Sequence, residues 1–189
     1  MNQPLPCLRT ERLILRPFAS SDGPAVERLA GAREVADTTL TIPHPYPAGG
    51  GANWIATHAG AWEQDRGLAL AICLGPAGDT LVGAVSLQLS LPHSHGELGY
   101  WIGAASWGRG YATEAARAVT AYAFTTLALH RVQGRHFTRN AASGQVLQKL
   151  GMQFEGLHRH AYSRWNRFED VAVYGVLAEQ WANAEGRHA

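Results

Sequence analysis

Ten residues of this chain, SWGRGYATEA from Ser106 to Ala115, set two glycines in front of an alanine-rich run. Glycines before a helix let backbone N–H groups close around a phosphate, because no Cβ holds the anion away. A P-loop needs a lysine directly after its last glycine, and the single lysine of this chain is Lys149. A dinucleotide fingerprint needs a third glycine and an acidic residue downstream to hold a ribose. Here Thr113 stands at the third glycine position, and no Asp or Glu occurs from Ala115 to Phe154. Both patterns are excluded. What survives is a shorter anion site at a helix entrance, where the first N–H groups lack intrahelical partners and the dipole is positive. Arg109 would add a mobile charge. The plainer alternative is that Gly108 and Gly110 merely allow a tight strand-to-helix turn, and spacing alone favours neither.

Other reactive groups are less suggestive. His93 and His95 share a face of an extended strand, as do His158 and His160, but neither pair has a third ligand at a ligand-like spacing. No metal is expected. Cys7 and Cys73 match no zinc or redox pattern, and Cys73, inside the apolar run LALAICL, reads as an inert core thiol.

The elements that must position the loop follow from local pattern. LILRPF alternates as a first strand, and Ser20 to Asp22 offer caps for a helix carrying Val26 and Leu29. IPHPYPAGGG is a loop, followed by a helix from Ala52 to about Asp65 with Trp54, Ile55, His58 and Trp62 at helical spacing. Both tryptophans read as core; His44 and Tyr46 read as core or as lining of an acceptor groove. LALAICL and LVGAVSLQLSL form a hairpin through GPAGD. In the next strand, HGELGYWIG, residues Glu97, Gly99, Trp101 and Gly103 share a face, and the glycines around Glu97 would suit a bulge. A helix from Arg109 to Leu129, the strand RVQGRHF, a helix AASGQVLQKL ended by Gly151, and strands in FEGLHRHAY and DVAVYGVL complete the chain. Adjacent strands in that order predict an α+β fold with a mixed, mainly antiparallel central sheet flanked by helices.

With 189 residues, 46% hydrophobic and 16% charged, the chain is expected to be one domain, 1–189. A net charge of +1 argues against nucleic acid. No apolar run approaches the roughly 20 residues that span a bilayer, and no signal-peptide pattern opens the chain, so a cytoplasmic protein is expected. Arg117, Arg131, Arg135, Arg139 and Lys149 crowd the acid-free segment. They mark either a solvated face or a landing surface for an anion.

These motifs together resemble the GNAT acetyltransferases, in the branch of the RimJ and RimL ribosomal-protein N-terminal acetyltransferases. WGRGYATEA resembles the acetyl-CoA loop, with Gly110 and Ala112 in its specified positions and Trp107 where Gln or Arg is usual. LRTERLILRPF, PHPYP with NWI, GELGYWIG, NAASGQVLQKLGMQFEG (Met152 standing where Phe is common) and FEDVAVYGVL resemble the rest of the branch in order, over nearly the whole chain.

The resemblance implies acetyl transfer from acetyl-CoA directly to a primary amine. The cofactor would be gripped at its pyrophosphate by N–H groups of Arg109, Gly110, Tyr111, Ala112 and Thr113, with Gly108 allowing close approach. Trp101, Ile102 and Gly103 would run beside the pantetheine arm like another strand, and an N–H near Ile102 would polarise the thioester. Asn140 would touch the same arm; its alternative is a plain N-cap. Ser143 would lie near the sulfur as proton donor, since many relatives use a tyrosine on that helix and none occurs between Tyr122 and Tyr162. Glu97 would be the base that takes the amine proton or holds the ammonium; its alternative is an ordinary strand glutamate paired with an arginine. Asp170 is a second acidic candidate. The expected acceptor is a protein or peptide N-terminal amine, ahead of an aminoglycoside or polyamine, for which acidic residues are sparse. Relatives in this branch often form homodimers. A silent CoA-binding module is the rival class: it would keep the loop and need neither Glu97 nor Ser143.

Overall fold

A computed structural model describes residues 3–185; residues 1–2 and 186–189 of the expected domain lie outside the described residues. The chain begins with β1 (Leu8–Arg9), β2 (Ile14–Pro17), α1 (Gly23–Ala30), α2 (Arg33–Asp37) and α3 (Gly50–Glu63). The hairpin β3 (Gly67–Leu74) and β4 (Thr80–Ser90) leads to β5 (His95–Ile102) and α4 (Tyr111–Thr125). Then come β6 (Arg131–Phe137), α5 (Ala141–Lys149), β7 (Gln153–Arg164), β8 (Arg167–Leu177) and α6 (Ala178–Glu185). The α+β architecture is as expected: one mixed sheet in the order β1-β2-β3-β4-β5-β6-β8-β7, antiparallel except where β5 meets β6.

Three short elements, β1, α2 and α6, have no counterpart in the sequence reading, and the chain ends its described part on a helix rather than a strand. α4 is shorter than Arg109–Leu129. It starts after Gly110, at φ +79°, and ends at Thr125; beyond it Ala128 enters the left-handed region at φ +51°, which sends the Leu129 N–H back to the Ala123 carbonyl (3.0 Å). No bulge interrupts β5 at Glu97. Its register with β4 runs residue for residue from Gly83↔Ile102 to Ser90↔His95, so Glu97 keeps the face that strict alternation assigns it.

Both faces of the sheet are covered. On one, Leu87, Leu98 and Ile102 meet Ala115, Ala116, Val119 and Ala123 of α4, small residues that let the helix lie close. On the other, Val26, Ala30 and Ile55 of α1 and α3 pack with Phe18, Trp54 and Trp101. Between them β3 is buried along almost its whole length, and Cys73 is fully buried, its thiol pushed up to about 11 by desolvation. Each large aliphatic side chain so enclosed contributes about 1.5–3 kcal/mol.

One departure from regularity matters for function. β5 and β6 pair only from His95↔Arg131 to Leu98↔Gly134, although β5 continues to Ile102 and β6 to Phe137. Each strand stays paired on its outer side: β5 with β4 as far as Ile102, β6 with β8 as far as Phe137↔Val171. The sheet therefore opens into a wedge between two firmly held arms.

Candidate active site

The wedge presents backbone to its interior. The Gly103 N–H reaches the Val82 carbonyl (2.9 Å), continuing the β4–β5 ladder, so residues of the same parity, Gly99 and Trp101, spend their main-chain groups on β4. Those of Tyr100 and Ile102 then face β6, across the opening. One is already taken: the Trp107 indole donates to the Ile102 carbonyl at 2.6 Å, folding the half-exposed ring over the end of β5. The N–H of Ile102 and both main-chain groups of Tyr100 are thus set like the free edge of a sheet, ready to pair with an amide-bearing chain.

At the mouth lies the glycine loop. Gly108 (φ +74°) and Gly110 (φ +79°) take the left-handed conformation, and a Cβ on Gly108 would meet nothing within 4 Å, so the approach to its backbone is open. α4 has no side-chain cap at its start, and the first of its N–H groups answered by a carbonyl is that of Glu114, bonded to Gly110 (3.1 Å). The preceding N–H groups, through Thr113, point along the axis toward solvent. Turn-forming and anion-cradling, set against each other by the sequence, are here the same geometry. Arg12 locks it: its guanidinium donates to the Arg109 carbonyl (3.0 Å) and to Glu114 Oε2 (2.7 Å), and lies 5.1 Å from the Tyr111 ring centre. Burial works to raise the Glu114 carboxyl, but bonds from Thr10 and from the Arg12 backbone and side chain outweigh it and leave it below the usual range.

On the α4–α5 face, Asn140 caps α5 by accepting from the Ser143 N–H (3.2 Å). α5 lies close on β6, since a Cβ on Gly144 would sit 2.8 Å from His136 Nε2. That closeness brings Ser143 to Tyr100, whose hydroxyl is 2.9 Å from both the Ser143 carbonyl oxygen and Oγ. Burial pushes the Tyr100 phenol up to about 12, with the bond to Ser143 pulling slightly the other way.

Glu97 projects from the opposite face, at the apex of the wedge. Its Oε1 accepts from Arg135 Nη2 (2.7 Å) and Nε (2.9 Å), its Oε2 from Gln133 Nε2 (2.8 Å), and Arg135 also donates to the Tyr162 hydroxyl (3.1 Å). Glu97 also lines an open cleft of about 340 Å³ with Arg66, Gln88, Leu89, Ser90 and His95. Glu97 and Ser143 therefore flank the wedge from opposite sides. Trp101 turns toward α1 and packs in the second core cluster, leaving only its backbone near the site. Asp170 lies well inside β8 and accepts from the His160 N–H (2.7 Å), holding an irregular stretch of β7. His44 bonds the Gly31 carbonyl (2.8 Å). Among the described residues, no three His, Cys, Asp or Glu side chains gather as a metal site, and no helix is long and apolar enough to cross a membrane.

Arg12, Tyr100 and Gln133 were not singled out by sequence reasoning, and Arg135 entered it only as part of the basic segment, not as the partner of Glu97. Arg12 meets Glu114 across 102 residues and Tyr100 meets Ser143 across 43, separations that no local motif encodes.

A mixed sheet opened between parallel strands, with an uncapped helix N-terminus at its mouth, sets a free β-edge beside an anion cradle. The chain belongs to the GNAT acetyltransferase family, whose domain model matches residues 12–153. It is 31% identical over 176 residues to the N-acetyltransferase YoaA of Bacillus subtilis, covering 91% of this chain and 97% of that protein. A GNAT-family acetyltransferase structure from Bacillus anthracis superposes with TM-score 0.81 at 25% identity, covering 92% of this chain and 99% of that one. RimL, a ribosomal L7/L12 α-N-protein acetyltransferase solved with coenzyme A, shares the fold (TM-score 0.81, 16% identity, 91% and 98% covered). The protein is an N-acetyltransferase.

Proposed function

We propose that the protein transfers acetyl from acetyl-CoA directly to the N-terminal amine of a protein or peptide. The wedge carries this reading: it offers free β-edge groups to the two amides of a pantetheine arm, while the N–H groups from Arg109 through Thr113 receive the pyrophosphate. The Ile102 N–H and its neighbours on β5 polarise the thioester carbonyl as negative charge develops on its oxygen.

Acceptor and leaving group are separated by the sheet. The amine approaches from the Glu97 face, where the carboxylate holds the ammonium and takes its proton through water, displacing part of its bond to Arg135. The nitrogen lone pair forms the C–N bond, the nitrogen gives up its second proton to solvent, the C–S pair leaves with sulfur, and sulfur departs toward Ser143 on the other face. Neither cysteine serves as an acyl carrier: Cys73 is buried in β3 and Cys7 lies on the N-terminal segment. Glu97 shares its cleft with Arg66 and His95 and with no second carboxylate, which favours a singly charged peptide terminus over a polyamine or aminoglycoside.

Thiol release measured with acetyl-CoA and succinyl-CoA against peptides, polyamines and aminoglycosides tests the proposal. Turnover on peptides with acetyl-CoA is expected. Turnover confined to polycationic amines would overturn the acceptor assignment, and tight CoA binding without turnover on any amine would make the protein a silent binding module.

A further inference from the structure

Tyr100 stands in the wedge without a part in phosphate binding or in amine activation. Its phenol has one proton and two acceptors at equal distance, the carbonyl oxygen and Oγ of Ser143, both 2.9 Å away. Two arrangements satisfy this contact. In one, the phenol donates to the carbonyl and the serine hydroxyl turns back to donate to the phenol oxygen. In the other, the phenol proton is shared between the carbonyl oxygen and Oγ, and the serine proton is free to point elsewhere.

We propose that Tyr100 is a positioning residue which, by donating to Ser143 Oγ, turns the serine O–H toward the sulfur leaving the thioester. This rests on reading the wedge as the acyl-CoA site. As the C–S bond breaks, its electron pair stays on sulfur, and the thiolate accepts a hydrogen bond from Ser143, whose oxygen accepts one from Tyr100. No proton changes owner within the pair; solvent protonates the released thiolate, an undemanding step for a thiol of ordinary pKa near 8.5. Serine alone is a poor acid, so a donor behind it strengthens what it offers without asking it to ionise. The surroundings suit a fixed dipole. Burial keeps the phenol protonated over any working pH. The frame is rigid on both sides: Tyr100 rises from a strand paired with β4, and Ser143 is fixed at its N–H by Asn140 and at its helix by the close approach of Gly144 to His136.

A double-mutant cycle tests this, using the full chain as wild type, Tyr100→Phe, Ser143→Ala and the double variant. The readouts are kcat at saturating acetyl-CoA and amine, the Kd of CoA and the melting temperature. Tyr100→Phe should lower kcat about fivefold, the worth of one hydrogen bond, and leave the CoA Kd within about twofold. In the Ser143→Ala background the same replacement should change kcat by less than about twofold. An equal loss in both backgrounds would mean that Tyr100 only ties down the main chain of α5 through the Ser143 carbonyl, and would overturn the proposal. So would an unchanged kcat in either single variant. Absence of wild-type turnover on the amine panel would remove the transferase reading and this proposal together, whereas equal losses in an active enzyme remove this proposal alone.

Discussion

Replacing Gly110 by alanine separates what that residue does for folding from what it does for the ligand. At φ +79° an L-residue is strained by roughly 1–2 kcal/mol. The new Cβ would meet only Arg12 Nη2, at 3.4 Å, an ordinary contact with a side chain that can move. The fold should survive with a melting temperature lowered by about 2–8 °C for a chain of this size. Gly151 is the control: at φ +74° with nothing within 4 Å of a Cβ, it carries the same backbone strain just after α5 and supplies none of the N–H groups of the cradle. Gly151→Ala should therefore melt like Gly110→Ala and bind CoA like wild type. In Gly110→Ala the methyl holds the pyrophosphate off at least one N–H. A hydrogen bond to a charged group is worth about 1.5–3 kcal/mol, so the Kd measured by titration calorimetry should rise about 10- to 100-fold. Equal CoA affinity in the two variants, at equal loss of melting temperature, would refute the cradle assignment.

Two further outcomes are expected. Glu97→Gln should lower kcat/KM for the amine by about 10²–10⁴; undiminished turnover would exclude Glu97 as the base. His58, buried among Trp54 and Phe18 with neither ring nitrogen hydrogen-bonded, has its pKa lowered to about 4 by desolvation. Its unfolded value is near 6.5, so the unfolded chain binds the extra proton first. Stability should be full above pH 6.5, fall by about 2 kcal/mol at pH 5, and level off below the folded value. Urea denaturation at pH 7 and pH 5 measures this, and His58→Leu should remove most of the difference; a variant with the same acid sensitivity as wild type would place its cause elsewhere.

What the sequence disclosed was local. The glycine pair before α4, the alternation of β5, the Asn140 cap and the Gly151 terminator each depend on residues within a turn or two, so their spacing could be read directly. The alternation alone put Glu97 and Trp101 on one face, and the regular register with β4 preserved it. The wedge was beyond such reading, because it arises from where two strands stop pairing while their outer partners hold on. The locking of the loop by Arg12 and the contact of Tyr100 with Ser143 are tertiary in the same sense. α6 escaped for another reason: AEQWANAE is short and carries one large apolar residue, Trp181, whose burial against Phe124 fixes its place.

The unpaired inner edge of β5 also has a signature in time. Amides of β5 that bond to β4 sit in a continuous ladder and open only with large-scale unfolding, whereas those of Tyr100 and Ile102 face the wedge from within the same strand. Hydrogen exchange should therefore find two fast-exchanging amides between slow neighbours on β5. Their slowing, at ligand concentrations too low to shift the melting temperature, would report occupancy of the wedge one peptide group at a time.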